Sequence, residues 1–250
     1  MFYANSRGKK IEATPRSEGY CPLCKKRLIP KCGQILVWHW AHRAGADCCS
    51  WSEPESEWHL GWKRLFPPEC CEVVMGPHRA DILTPQGIVV ELQSRSISPE
   101  VAREREEFYG NMIWLFRADE FADNLQISFD TDSAPYGRVS FRWEPPRTTH
   151  TRLRKPLFWD LGDGEILEVT GLSRSGHRGH GHLQPREGFA KRLLQSHARF
   201  VPSWLQGREI FKGETLQTDD LPTSPPSFGE GVSTRRMGTK KPIAGQGLLF

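Results

Sequence analysis

The stretch that most constrains this chain runs from His78 to Ser94. Thr84-Pro85-Gln86-Gly87 carries a turn signal, with Pro at the second turn position and Gly at the fourth. The flanking residues suit strands, and Ile88-Val89-Val90 is β-branched. The spacing predicts a hairpin of Arg79–Leu83 against Ile88–Gln93. Three polar residues interrupt it: Asp81, Glu91 and Gln93. Side chains alternate along a strand, so Glu91 and Gln93 share a face and Leu92 points away. A carboxylate in so apolar a strand is costly unless something neutralises it. A divalent cation held by Asp81 and Glu91 would do so, and hard oxygen ligands point to Mg²⁺ or Mn²⁺. The competing reading is a surface hairpin whose charged face lies in water.

Upstream, Cys21-Pro22-Leu23-Cys24 is followed by His39-Trp40-Ala41-His42 and then Cys48 and Cys49. A CxxC knuckle aims two thiolates at one ion, and a second pair closes a tetrahedron. Cys21, Cys24, His39, His42 and Cys48 compete for four places around a structural Zn²⁺; Cys32 and Cys49 are weaker candidates. Ile35–Trp38 reads as the intervening strand and Gly33 as its turn, the shape of a small zinc ribbon. Residues 1–17 read as a short leading strand or a loose arm.

Ser52-Glu53-Pro54-Glu55 has the form of a capped helix start, with the helix running to Phe66 before Pro67-Pro68. Trp58, Trp62 and Leu65 form its apolar stripe. Glu57, at the margin of that stripe, could lend a further carboxylate to the hairpin; His59 and Lys63 share another side. All three could equally be solvated charges. Glu69–Met75 leads into the hairpin as a short strand, Glu72-Val73-Val74-Met75. Ser98-Pro99-Glu100 opens a second helix, on which Val101, Arg105 and Tyr109 share a face. Arg105 either holds a phosphate bidentately or pairs with Glu104 or Glu106. Met112–Phe116 is a wholly apolar run and reads as a buried central strand.

Of 250 residues, 37% are hydrophobic and nine are Trp, which favours a folded chain of one or two domains. A net charge of +4 permits a local nucleic-acid-binding patch without requiring one. No apolar run approaches 18 residues, so no membrane span is expected. The N-terminus lacks the apolar segment of a signal peptide, so the seven cysteines are expected as reduced thiols in a cytoplasmic protein.

Together these segments resemble the CoiA-like competence protein family, a branch of the PD-(D/E)xK nuclease superfamily. The resemblance spans roughly residues 18–120. It rests on Cys21-x-x-Cys24, His39-Trp40-Ala41-His42, Glu57-Trp58-His59 with Trp62, His78–Asp81, Glu91-Leu92-Gln93-Ser94 and Arg105-x-x-x-Tyr109. It implies an α/β restriction-endonuclease-like core, a mixed sheet flanked by helices, carrying an N-terminal zinc ribbon. It implies Glu57, Asp81, Glu91 and Gln93 as the catalytic set, with Asp81 and Glu91 on Mg²⁺ or Mn²⁺. His59, Lys63, Arg79, Arg105 and Tyr109 are then candidates for DNA contact, and the activity implied is DNA phosphodiester hydrolysis in uptake, recombination or repair. Position 93 departs from the superfamily, which usually has Lys there. The runner-up is a nuclease fold kept as a DNA-binding or recombination accessory module.

The resulting division is 1–51 zinc ribbon, 52–120 nuclease-like core, 121–211 β-rich extension with a terminal helix, and 212–250 disordered tail. In the extension, Leu125–Phe129, Gly137–Trp143 and Leu157–Val169 read as strands, Ser173–Gly181 as a flexible basic loop and Phe189–Phe200 as a helix. The Pro-, Ser- and Gly-rich tail ends in Gln246-Gly247-Leu248-Leu249-Phe250. Gln246, Leu249 and Phe250 resemble the motif that binds the bacterial sliding clamp; Gly247 departs from it.

Overall fold

The computed structural model describes residues 1–43, 48, 51, 54–129 and 137–195, and the backbone of 233–236. Two small hairpins come first: β1 (Tyr3–Ser6) with β2 (Lys9–Glu12), and β3 (Ile29–Lys31) with β4 (His39–Ala41). There follow α1 (Glu57–Lys63), β5 (Cys71–Met75), β6 (His78–Leu83), β7 (Val89–Gln93), α2 (Pro99–Tyr109) and β8 (Met112–Arg117). The second half holds β9 (Leu125–Phe129), β10 (Arg138–Trp143), β11 (Leu157–Asp160), β12 (Glu165–Leu172), β13 (Arg178–Pro185), α3 (Arg186–Gln195) and β14 (Ser233–Arg236).

Strands β5 to β14 make one mixed sheet in the order β14-β9-β10-β13-β12-β11-β8-β7-β6-β5. The pairs β7–β8 and β8–β11 are parallel and the others antiparallel. The apolar run 112–116 becomes β8, interior to the sheet, and its alternation feeds two cores. Trp114 and Phe116 face one core, which α2 covers with Ala102 and Tyr109. Ile113 and Leu115 face the other, covered by Leu60 and Trp62 of α1 and Phe189 and Leu193 of α3. Helix α2 crosses between parallel neighbours β7 and β8, as a βαβ unit requires. No described helix is long and apolar enough to cross a membrane.

Several expectations need correction. Ile35–Trp38 is not a strand: β3 and β4 flank it, leaving Ile35 and Leu36 exposed in the connecting loop. Helix α1 begins at Glu57 under a Ser56 cap, five residues after the Ser52 start that the capping box indicated. Arg178–Gly181 is the start of β13, not a flexible loop. The strands after 120 do not pack on the core as a layer; β11 pairs directly with β8, so they continue its sheet. Within the stretch expected to be disordered, the backbone of 233–236 forms β14 against β9. Cys49, the expected start at Ser52, His197 and Arg199, and the tail tip Gln246, Leu249 and Phe250 lie outside the described residues.

Candidate functional site

Local backbone bonds shape the zinc-type knuckle. Cys21 N–H donates to Lys26 O (2.8 Å) and Lys25 N–H to Cys21 O (3.0 Å), with Lys25 in the left-handed region at φ 61°. This turn aims Cys21 and Cys24 at His42 and Cys48, and the four ligand atoms lie within 4.8 Å of one another. Cys21 Sγ is 3.5 Å from Cys48 Sγ, and His42 Nε2 is 3.3 Å from Cys24 Sγ and 3.5 Å from Cys48 Sγ. A tetrahedron with Zn–S near ~2.3 Å and Zn–N near ~2.0 Å has edges of about 3.5–3.8 Å. The spacing therefore fits a Cys₃His structural zinc site with no open position. Burial and the adjoining thiols of Cys21 and Cys24 push Cys48 up to about 12, a charge conflict that a cation relieves. Of the five candidates His39 is left out: its Nδ1 lies 2.8 Å from Val37 O.

The second cluster forms where the central hairpin opens. Strands β6 and β7 pair in register at Ile82↔Val90 and Leu83↔Val89. Beyond that, side chains take over the cross-strand bonds. Leu92 N–H donates to Asp81 Oδ2 (3.1 Å), and Asp81 N–H faces Glu91 Oε1 (3.4 Å). The splay leaves a cavity of about 10 Å³, the room of one water-sized sphere. Glu55, His59, Asp81, Glu91 and Arg105 line it, with Trp51, Arg79 and Leu92.

Charge is balanced unevenly around it. Arg105 donates to Glu91 Oε2 (3.0 Å) and to Trp51 O (3.0 Å), so it pairs with neither Glu104 nor Glu106. Burial and the Asp81 carboxylate still push Glu91 up to about 8, against the pull of Arg105. Lys63, expected on the surface, is 1% exposed. Its ammonium donates to Glu55 Oε1 (2.9 Å) and Glu72 Oε1 (3.0 Å) and sits 3.5 Å from Asp81 Oδ1. Burial pulls Lys63 down, but Glu55, Glu72 and Asp81 outweigh it and hold the ammonium charged. Glu72 also accepts the Phe2 and Tyr3 N–H groups, both at 2.7 Å. Lys63, Arg79 and those donors hold it below the usual carboxylate range despite its burial. The N-terminal hairpin is thereby bonded to the same network as Asp81.

Of the residues singled out, the structure brings together Asp81, Glu91, His59, Arg79 and Arg105. Glu57 is exposed and does not line the cavity; Glu55, two residues earlier, does. Gln93 shares the Glu91 face but is buried, with its Nε2 donating to Arg95 O (3.0 Å). Tyr109 is buried edge-on against Trp51, with ring centroids 5.8 Å apart. Sequence reasoning missed Glu55 and Glu72. Glu55 precedes the Ser56 cap of α1 and Glu72 lies on β5, so no local pattern pointed to either.

Asp81, Glu91 and Glu55 turn carboxylates toward the cavity, each with a cationic side chain beside it: Lys63 at Glu55 and Asp81, Arg105 at Glu91.

Residues 4–50 match the family described as Competence protein CoiA, N-terminal domain. That span contains all four residues of the Cys₃His cluster. Competence protein CoiA of Bacillus subtilis (strain 168) is 29% identical over 105 residues, covering 37% of this chain and 28% of that protein. The chain thus spans under a third of the length of that relative. No solved structure matches. Both similarities are to CoiA-like competence proteins, one to their N-terminal domain and one to part of a curated relative.

Proposed function

We propose that this chain is a metal-dependent DNA nuclease with a structural zinc site and a restriction-endonuclease-like core. One observation carries the reading: Asp81 and Glu91 meet in one ion-sized cavity beside Glu55, with Lys63 3.5 Å from Asp81. The unit α1, β5–β7, α2, β8 supports the fold assignment, since it supplies a helix, a hairpin and a crossover to a parallel strand. The similarity to Competence protein CoiA supports a role in DNA uptake, recombination or repair.

Asp81 and Glu91, with Glu55, would hold Mg²⁺ or Mn²⁺. Such an ion lowers the pKa of bound water and stabilises charge on a phosphoryl group. Lys63 lies 3.5 Å from Asp81 Oδ1. It supplies the fixed positive charge that position 93 lacks, while Gln93 is engaged with the Arg95 carbonyl. Arg105 orients Glu91. His59, held at Nδ1 by Ser56 Oγ (2.8 Å), is placed to move a proton at the cavity wall.

The test is cleavage of labelled single-stranded, duplex and branched DNA with Mg²⁺ or Mn²⁺, with Asp81→Ala in parallel. Equal cutting by the variant would assign the activity to a contaminant. The involvement of Gln93 with its own backbone favours a second reading, a DNA-binding accessory module with a silent site. That reading predicts DNA binding but no Mn²⁺ uptake beyond zinc. The sliding clamp is a proposed partner through Gln246, Leu249 and Phe250. Titrating the last ten residues as a peptide into the clamp decides it, and absence of binding at high micromolar concentration removes the idea.

A further inference from the structure

Strands β10 and β13 pair so that Arg138 faces His182, Ser140 faces His180 and Arg142 faces Arg178. Paired residues in an antiparallel ladder point to the same side. The inward residues of β10 are Val139, Phe141 and Trp143, all buried. Those of β13 are Gly179, Gly181 and Leu183. Both glycines are sterically required there: a Cβ on Gly179 would meet the Phe141 ring at 2.3 Å, and one on Gly181 the Glu168 carbonyl at 2.0 Å. The sequence Arg-Gly-His-Gly-His thus buries its glycines and turns every basic side chain outward. Ser128 and Gln126 of β9 extend the face, opposite Ser140 and Arg142.

None of these outward positions carries a carboxylate. Among the described residues, the exposed Glu144 pairs with Arg142 at 3.4 Å, and Glu168, opposite His182, is buried. Like charges directly opposite on a ladder are destabilising, yet Arg142 faces Arg178. Burial, with smaller contributions from Arg138 and His182, holds His180 below the usual imidazole range. Such a flat cationic surface, edged with hydroxyl and amide groups, complements a row of phosphates. Guanidinium groups bind phosphate bidentately, and contacts of this kind position a duplex or strand without reading its bases.

We propose that the outer face of β10 and β13 is a DNA-backbone docking surface, with Arg138, Arg142 and Arg178 as its phosphate contacts. It shares with the proposed nuclease function only the DNA partner and none of the cavity residues.

The test is DNA binding by the full chain with no added Mg²⁺ or Mn²⁺, followed by fluorescence anisotropy across 50–300 mM salt. The triple variant Arg138→Gln, Arg142→Gln, Arg178→Gln should bind at least about tenfold more weakly at 0.1 M salt. Its slope of log K against log salt should shrink by about 2–3, since each duplex phosphate contact contributes about 0.9. The matching triple Lys variant should retain most of the slope. Arg103→Gln, exposed on α2 and part of neither site, should bind like the parent; because binding is read without divalent ions, a failed nuclease site leaves this result unmoved. The proposal is overturned if the Gln variant keeps both affinity and slope, or if the parent binds no DNA. It is also overturned if polyglutamate displaces DNA at equal charge concentration, which would make the face a site for acidic peptides.

Discussion

The chain buries carboxylates in two distinct ways. Asp160, on β11, is 1% exposed and surrounded by neutral donors. Trp58 and Trp62 donate indole N–H groups to its Oδ2 at 2.8 and 2.7 Å, and the Gly162 N–H reaches Oδ1 at 3.1 Å. Glu106 is similar, accepting from Trp114 Nε1 (3.0 Å) and from the Arg154 and Lys155 N–H groups (2.9 and 3.1 Å). Asp81 and Glu91 instead face each other, with Lys63 and Arg105 behind them. Neutral donors satisfy an acid completely and make it a joint, here clamping α1 onto the sheet. Two acids sharing one space keep an electrostatic conflict that a cation would resolve. The difference separates an acid settled by neutral donors from an acid held beside another acid and its cationic partners.

The largest test of that distinction is activity. Asp81→Ala or Glu91→Ala should lower metal-dependent DNA cleavage by about 10³-fold, roughly 4 kcal/mol of barrier, with circular dichroism unchanged. Asp160→Ala should do the reverse. It strands two buried indole donors, at ~1–3 kcal/mol each, so chemical denaturation should show a loss of about 3 kcal/mol. Divalent-ion binding by the surviving folded fraction should be unchanged. If Asp160→Ala were as stable as the parent, Asp160 would not be a joint.

A subtler effect separates the two kinds of acid by pH. The folded pKa of Glu91 is raised from 4.5 to about 8, so the native state holds its proton more tightly than the unfolded chain. The sign follows from linkage: the unfolded carboxyl ionises first, so stability falls as pH rises from about 4.5 and levels off above about 8. Glu91→Gln should remove that decline. Without added Mg²⁺ or Mn²⁺, the variant should be more stable than the parent at pH 8 by on the order of 1–2 kcal/mol, part of the gain being offset by the weaker bond to Arg105. Thermal melts at pH 5 and 8 measure it. Adding Mn²⁺ should stabilise the parent and leave Glu91→Gln unmoved; equal melts at both pH values would place Glu91 with the joints.

The elements that local pattern specifies were legible. The β-branched hairpin, the apolar β8 and the Ser98 cap follow from propensity, alternation and capping, and these put Asp81 and Glu91 on the hairpin and Arg105 on α2. What local pattern could not give was the partner at long range. Lys63 looks like a surface charge until β5 brings Glu72 beneath it. The choice of Glu57 over Glu55 came from starting α1 at Ser52. With the cap at Ser56, Glu55 lies outside the helix, in the segment leading into it, where it meets Lys63. Arg178–Gly181 looked like a loop because glycine weakens strands; the Phe141 ring that requires Gly179 is thirty-eight residues earlier, and the Glu168 carbonyl that requires Gly181 lies on β12. Ile35–Trp38 had strand composition but no neighbouring strand to pair with.

The smallest expected effect compares two serines with the same local role. Ser98 Oγ accepts from Val101 N–H at 3.3 Å and does nothing else for the cavity. Ser56 Oγ accepts from His59 N–H at 3.4 Å and also bonds His59 Nδ1 at 2.8 Å, fixing a ring that lines the cavity. Either Ser→Ala change removes a cap worth about 1 kcal/mol, so both variants should lose similar stability in urea. Only Ser56→Ala frees the imidazole, and so only it should shift the pH profile of cleavage and lower the rate, by about three- to tenfold. Equal cleavage by the two variants would show that His59 is held by its packing rather than by Ser56, and would reduce Ser56 to an ordinary helix cap.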